Sequence, residues 1–331
     1  MTRPWGPGSA TGLGSLPGTD PVEAARLVFG ELPDLPHLPE LPQRGAGADM
    51  IGRTATVLVD LPVEIVPSGW RLTARPGVDL RRARDFLAYD LDALEAQGDG
   101  YVGPVKLQVV GPWTLGANLE LPSGHKVITD HGATRELVAS LAEGLRLQLA
   151  DLRQRVPGAV PVVQVDEPSV PAVLAGQVPT PSGYGTVRSV EDSVVRQALR
   201  DVFDVVPAGR RVVHCCAADA PIALLRSAGA DAVSLDAALL TRGDNDALGE
   251  AVDAGVSLWL GVVPAVDSDI SLDTARARLL GLWSELGFPA GQLAGSVVPT
   301  PACGLAGATP AYVRRALTVL RETGASLRDE G

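Results

Sequence analysis

A chain of 331 residues, 46% hydrophobic and 20% charged, is too apolar to remain disordered and long enough to bury a large core. Its formal charge of -11, with no basic patch, excludes phosphate-driven attraction to nucleic acid or anionic lipid, so a small molecule is the expected partner. The longest apolar stretch near a strand, Val256 to Val266, is far short of the ~20 residues that span a bilayer, and Met1–Ala10 lacks the apolar region of a signal peptide, which makes the cytoplasm the expected location.

In chain order, a first strand is expected near Thr11–Ser15, in a glycine-rich opening that contains Gly12 and Gly14. Asp20–Pro21 reads as an N-cap with proline at the first helical position, opening a helix over Val22–Phe29. The segment Glu31–Arg44 carries Pro33, Pro36, Pro39 and Pro42, which rules out an ordinary helix or central strand and predicts an ordered, extended surface segment. A hairpin-like insertion is expected around Thr54–Trp70. Leu80, Ala83, Phe86, Leu87, Leu91 and Leu94 recur at helical spacing over Asp79–Gln97, and Lys106–Val110 then reads as a strand entering a Gly111–Pro112 turn.

The alternation then repeats: helix Glu136–Arg153 with strand Val160–Val165, helix Val190–Val205 with strand Arg211–His214, and helix Ile222–Ala228 with strand Ala232–Leu235. Helix Asp246–Ala254 precedes strand Ser257–Val262, and helix Leu272–Leu286 precedes strand Ser296–Val298, before a last helix over Ala311–Thr323. The total approaches eight β/α units of ~30 residues, which predicts a single (β/α)8 TIM barrel over residues 1–331 with an early hairpin-like insertion and no linker. An open doubly wound sheet is the alternative, weakened by the lack of GxGxxG after the first strand.

Barrel active sites lie at the C-terminal ends of the strands. His214, Cys215 and Cys216 end one strand, Asp236 the next, Cys303 follows the last, and Asp166 with Glu167 ends an earlier one. In an extended segment residues two apart share a face, so His214 and Cys216 can face one ion while Cys215 packs away. With Cys303 and Asp236 they make one nitrogen, two sulfurs and one oxygen, a set suited to tetrahedral zinc. The competing reading is that the cysteines are small buried hydrophobes. His37, His125 and His131 all fall in loop-like sequence.

Six short motifs in order and spacing carry a resemblance over nearly the whole chain: Gly14–Pro17 (GSLP), Val109–Thr114 (VVGPWT), Gln164–Pro168 (QVDEP), His214–Cys216 (HCC), Ser234–Ala237 (SLDA) and Pro301–Leu305 (PACGL). The chain resembles the C-terminal catalytic barrel of cobalamin-independent methionine synthase, in the superfamily shared with uroporphyrinogen decarboxylase. The resemblance implies zinc held by His214, Cys216 and Cys303, with Asp236 standing where the family has a glutamate ligand and reaching one methylene less far. It implies that Asp166 and Ser15 hold the amino-acid part of homocysteine, with Glu167 supporting the site. Alternatively, Asp166 and Glu167 make a strand-end turn in which Asp166 caps the next segment, and Ser15 is only a turn residue.

The implied reaction is methyl transfer to a thiol, homocysteine giving methionine. A free thiol titrates near ~8.5, so coordination to zinc is what would keep the sulfur deprotonated. Folate could bind near Trp113, which core packing explains equally well. The histidine that the family uses to protonate the folate is missing from Leu260–Asp269, and a single barrel without the family's N-terminal one is expected, which leaves methyltetrahydrofolate and a methyl-corrinoid protein both as candidate donors. Two other classes stay open. A metal-free decarboxylase-like barrel would need an arginine-rich pocket, for which only Arg44 and Arg53 stand near the N-terminal strands; the other is a noncatalytic metal-binding homologue.

Overall fold

The computed structural model describes residues 3–330; Met1, Thr2 and Gly331 of the expected domain lie outside the described residues. Helix α1 (Pro21–Glu31) starts where the Asp20 carboxylate accepts the N–H groups of Val22 and Glu23, with proline in the first turn. Helix α2 (Met50–Ala55) is followed by the antiparallel hairpin β1 (Val63–Val66) and β2 (Gly69–Leu72). The insertion expected over Thr54–Trp70 is thus a hairpin that begins later, because Asp49 accepts from Gly52 N and holds Thr54 in a helical turn. Next come α3 (Val78–Gln97), β3 (Gly103–Val110), α4 (Pro112–Asn118) and the two-residue β4 (Leu119–Glu120), which runs parallel to β2.

The remaining elements alternate: α5 (His131–Arg155), β5 (Ala159–Asp166), α6 (Val170–Leu174), α7 (Asp192–Phe203), β6 (Arg211–Cys215), α8 (Ile222–Ser227), β7 (Ala232–Asp236), α9 (Asn245–Asp253), β8 (Ser257–Val263), α10 (Leu272–Leu286), α11 (Leu293–Ser296), β9 (Val297–Pro301) and α12 (Pro310–Leu327). Strands β3, β5, β6, β7, β8 and β9 form one strongly curled, barrel-like parallel sheet in that order. The helices cover its outer side with apolar stripes; α7 buries Val195, Leu199, Val202 and Phe203. Each such side chain contributes about 1.5–3 kcal/mol when fully buried.

Two extended segments hydrogen-bond between the edges of that sheet. Thr11 N donates to Pro299 O of β9, Glu40 N to Gly14 O, Leu16 N to Glu40 O, Leu38 N to Lys106 O, and Lys106 N to Pro36 O. The Pro-rich stretch is therefore extended, as its prolines require, but it is not a surface segment: Leu35, His37, Leu38 and Leu41 are fully buried. It makes only a few ladder bonds, so Pro39, which lacks an N–H, is tolerated between Leu38 and Glu40, while leucines between the prolines of the segment carry the apolar contacts.

Alternation within the strands sets up two interiors. Outward residues such as Val163, Val165, Val213 and Leu235 join the core beneath the helices. Inward, Trp5, Leu35, Val162, Val212, Ala232, Trp259 and Val298 make a separate apolar floor, with the Trp5 and Trp259 rings edge to face at 5.3 Å. Above that floor β3, β5, β6 and β7 present buried polar side chains: Lys106, Gln108, Gln164, Asp166, His214 and Ser234. Among the described residues, no helix is long and apolar enough to cross a membrane.

Candidate metal centre

His214 is the inward residue near the end of β6, paired in register with Asp166 on one side and Ser234 on the other. Its Nδ1 lies 3.0 Å from Ser234 Oγ. Cys215 points outward into the core and is 1% exposed, as its odd position in the strand demands. Cys216 points back towards Cys303, which follows β9, and the two Sγ atoms are 3.2 Å apart. The donor atoms of His214, Cys216 and Cys303 all lie within 4.8 Å of one another.

Close backbone approach makes this convergence possible. Ala302 N donates to Val263 O at 2.7 Å, and a Cβ at Gly261 would collide with the Ala302 backbone. A side chain at Gly304 would occupy the position of Ser15 Oγ, and Leu305 N donates to Ser15 O at 2.8 Å, so Ser15 sits against the loop that carries Cys303. Hydrogen bonds from Cys216 and His214 hold the Cys303 thiol well below the ordinary thiol range, while the same sharing with Cys303, with burial, pushes Cys216 far up. One soft nitrogen donor and two sulfurs, with one thiolate already favoured, fit a zinc ion.

The other expected site residues fall into two groups. Asp166 is buried beside His214 and accepts from Gln164 Nε2 at 2.7 Å; burial pushes its carboxyl up, opposed by His214 and Lys106. Ser15 pairs with Glu40, so both line this end of the interior. Asp236 is not in the three-residue group: its carboxylate accepts from Ala238 N at 2.8 Å and caps the turn that leaves β7. Glu167 is fully buried, and its two oxygens accept from Trp113 N at 3.0 Å and Thr114 N at 2.8 Å. The capping residue of the Asp-Glu pair is thus Glu167, and the segment it caps is α4. Trp113 is 1% exposed and its Nε1 donates to Val195 O, which ties the ring to α7.

Three side chains went unnoticed in the sequence. Glu40 is buried against Arg53, which itself pairs with Asp90, and Arg44 pairs with the same carboxylate at 2.8 Å. Lys106 is fully buried, and Ser234 is the partner of His214. The signal was present in the strands: Lys106 and Gln108, then Gln164 and Asp166, are polar residues two apart in otherwise apolar runs.

Residues 9–326 match the family described as cobalamin-independent synthase, catalytic domain. The chain belongs to that family. This cobalamin-independent synthase domain superimposes on a B12-independent methionine synthase from Shewanella sp. W3-18-1 in complex with selenomethionine, at 14% identity, 98% of each chain and a TM-score of 0.64. It also superimposes on a methyltransferase from Methanosarcina mazei at 13% identity, covering 99% of this chain and 94% of that one, with a TM-score of 0.58. At such identities the superpositions speak for the fold. No match is found among curated protein sequences. The His-Cys-Cys cluster is consistent with the zinc site typical of this family.

Proposed function

We propose that this chain is a zinc-dependent methyltransferase that moves a methyl group onto the sulfur of homocysteine to give methionine. The observation that carries the reading is the convergence of His214, Cys216 and Cys303 from two strands at one end of a barrel-like sheet. Family membership supports it, as does the selenomethionine held by the Shewanella protein, since selenomethionine is the selenium analogue of the product. In this reading the sheet is a closed (β/α)8 barrel, with residues 9–16 and 35–41 as its two irregular staves; the hydrogen bonds from Thr11 to Pro299 and from Leu38 to Lys106 support the closure.

His214, through Nε2, and the sulfurs of Cys216 and Cys303 would hold the ion, with Asp236 as a fourth ligand once its carboxylate leaves Ala238 N. When bound, zinc supplies the Lewis acid that keeps a substrate thiol deprotonated at neutral pH. Ser234 holds the His214 ring through Nδ1, which would leave Nε2 for the ion. Asp166, Glu40 and Ser15 hold the amino-acid part of the substrate: two carboxylates are the natural partners of an ammonium. Glu167 acts on the site indirectly, by anchoring α4 to the end of β5, and Trp113 packs that helix against α7.

In the transfer, a carbon–sulfur bond forms as the bond from the methyl carbon to its carrier breaks, and the electron pair leaves with the carrier. The carrier is methyltetrahydrofolate or a methyl-corrinoid protein. Incubating the zinc-loaded protein with homocysteine and each donor, and measuring methionine by mass spectrometry, tests the reading. Methionine formed with either donor and lost in Cys303→Ser is the expected result; none with either donor contradicts it.

A further inference from the structure

Lys106 is a buried basic group that this chemistry does not use; burial lowers its pKa, while the nearby Asp166 and Glu40 carboxylates favour its charged form. Its side chain points into the barrel-like interior from β3 and is fully buried, and an ammonium withdrawn from water is costly unless its donors are matched. It donates to Gln164 Oε1 at 2.7 Å and to Gln108 Oε1 at 3.2 Å. An ammonium has donors only, so each glutamine must turn its oxygen towards Lys106 and its NH2 group away.

Each NH2 group then meets an acceptor that matters. Gln164 Nε2 donates to Asp166 at 2.7 Å and to Leu13 O at 2.9 Å, on the segment that carries Ser15. Gln108 Nε2 donates to Leu38 O at 2.6 Å, on the segment that carries Glu40, and the Gln108 side chain favours the charged form of the Glu40 carboxyl. Were either amide turned over, its oxygen would face a carboxylate or carbonyl oxygen and both contacts would become repulsive.

We propose that Lys106 is a positioning residue: acting through Gln108 and Gln164, it locks both amides in one orientation and so aims the carboxylates of Asp166 and Glu40 as a cradle for a substrate ammonium. This rests on the reading that an amino-acid thiol binds beside the metal centre. The pattern also joins two strands and two extended segments of the interior, since one ammonium fixes contacts to β3, β5 and both of those segments.

The test compares wild type with Lys106→Met, which keeps the length and removes the donors. Calorimetry is run with methionine and with 4-(methylthio)butanoate, which lacks only the amino group. Methionine affinity should fall roughly ten- to hundredfold, as for a lost hydrogen bond to a charged group. The des-amino ligand should bind as before and zinc content should not change, whereas a lysine that merely supports packing would weaken both ligands. Gln164→Leu should act in the same direction, and the two losses should not add. If Lys106→Met does not fold, Gln164→Leu carries the same comparison, because it cuts the arm to Asp166 and leaves Gln108 paired.

A second readout needs no ligand. The side-chain amide protons of Gln108 and Gln164, assigned from the two Gln→Leu variants, should exchange slowly in wild type and fast at both positions in Lys106→Met or, for Gln108 alone, remain slow in Gln164→Leu. Failure of wild type to bind methionine would sink the proposed function, yet the amide exchange would still decide the role of Lys106. Slow exchange persisting at both amides in Lys106→Met would overturn it.

Discussion

The sulfur atoms of Cys216 and Cys303 lie 3.2 Å apart, although 87 residues separate them in the chain. Two strand ends must therefore be held in register across β7 and β8 for the site to exist at all. The two thiols are also unequal, since hydrogen bonds from Cys216 and His214 favour the thiolate on Cys303 while Cys216 keeps its proton.

That inequality predicts an order of reactivity in metal-free protein. At pH 6–7 iodoacetamide should label Cys303 first, because a lowered pKa leaves it as thiolate where an ordinary thiol is protonated. Cys216, which keeps its proton, should react slowly, and Cys215, 1% exposed and also raised by burial, slowest of all because the reagent cannot reach it. Peptide mapping reads the order, and zinc loading should protect Cys303. Labelling of Cys216 ahead of Cys303 would contradict the proton arrangement.

Ser234→Ala should weaken metal binding without unfolding the chain. The variant removes the 3.0 Å contact to His214 Nδ1 and leaves the ring free to turn. Loss of such an outer partner costs roughly 10–100-fold in metal affinity. Competition with a chromophoric chelator measures it, and affinity equal to wild type would show that packing alone orients the imidazole.

Glu167 links stability to pH. Burial raises its carboxyl to about 7, against the N–H groups of Trp113 and Thr114, which favour the charged form. Its folded pKa thus exceeds its unfolded one, so its favourable contribution is complete below about 4.5 and is lost as pH rises through about 7. Urea unfolding should show that slope in wild type and a flatter one in Glu167→Gln. Glu167→Ala, which orphans two buried N–H groups, should cost about 1–3 kcal/mol for each of them, measured at low pH where the Glu167 contribution is complete.

Much of this was legible beforehand, for physical reasons that also mark the limit. Helix Leu272–Leu286 was read with both bounds correct because Ser271 and Gly287 are strong cap signals. That His214 and Cys216 share a face could be read because a two-residue spacing at a strand end fixes it, and Cys303 joins them in one cluster from the end of β9. The Pro33–Pro42 stretch misled, since proline argues against a central strand only where a full ladder is needed, and here a few bonds suffice. Glu40 was hidden by that error, and Lys106 because a lone lysine in a strand looks solvated until its two glutamine partners converge. The caps made by Asp236 and Glu167 depend on backbone direction after the strand, which side-chain spacing does not encode.

The most direct measurement is the metal content of the purified protein beside its Cys216→Ser variant, by elemental analysis. The account predicts about one zinc per chain in wild type, and loss of that zinc in the variant while its circular dichroism stays native. No zinc in wild type even after reconstitution would contradict the account, because His214, Cys216 and Cys303 would then be brought together for something other than a metal-assisted methyl transfer.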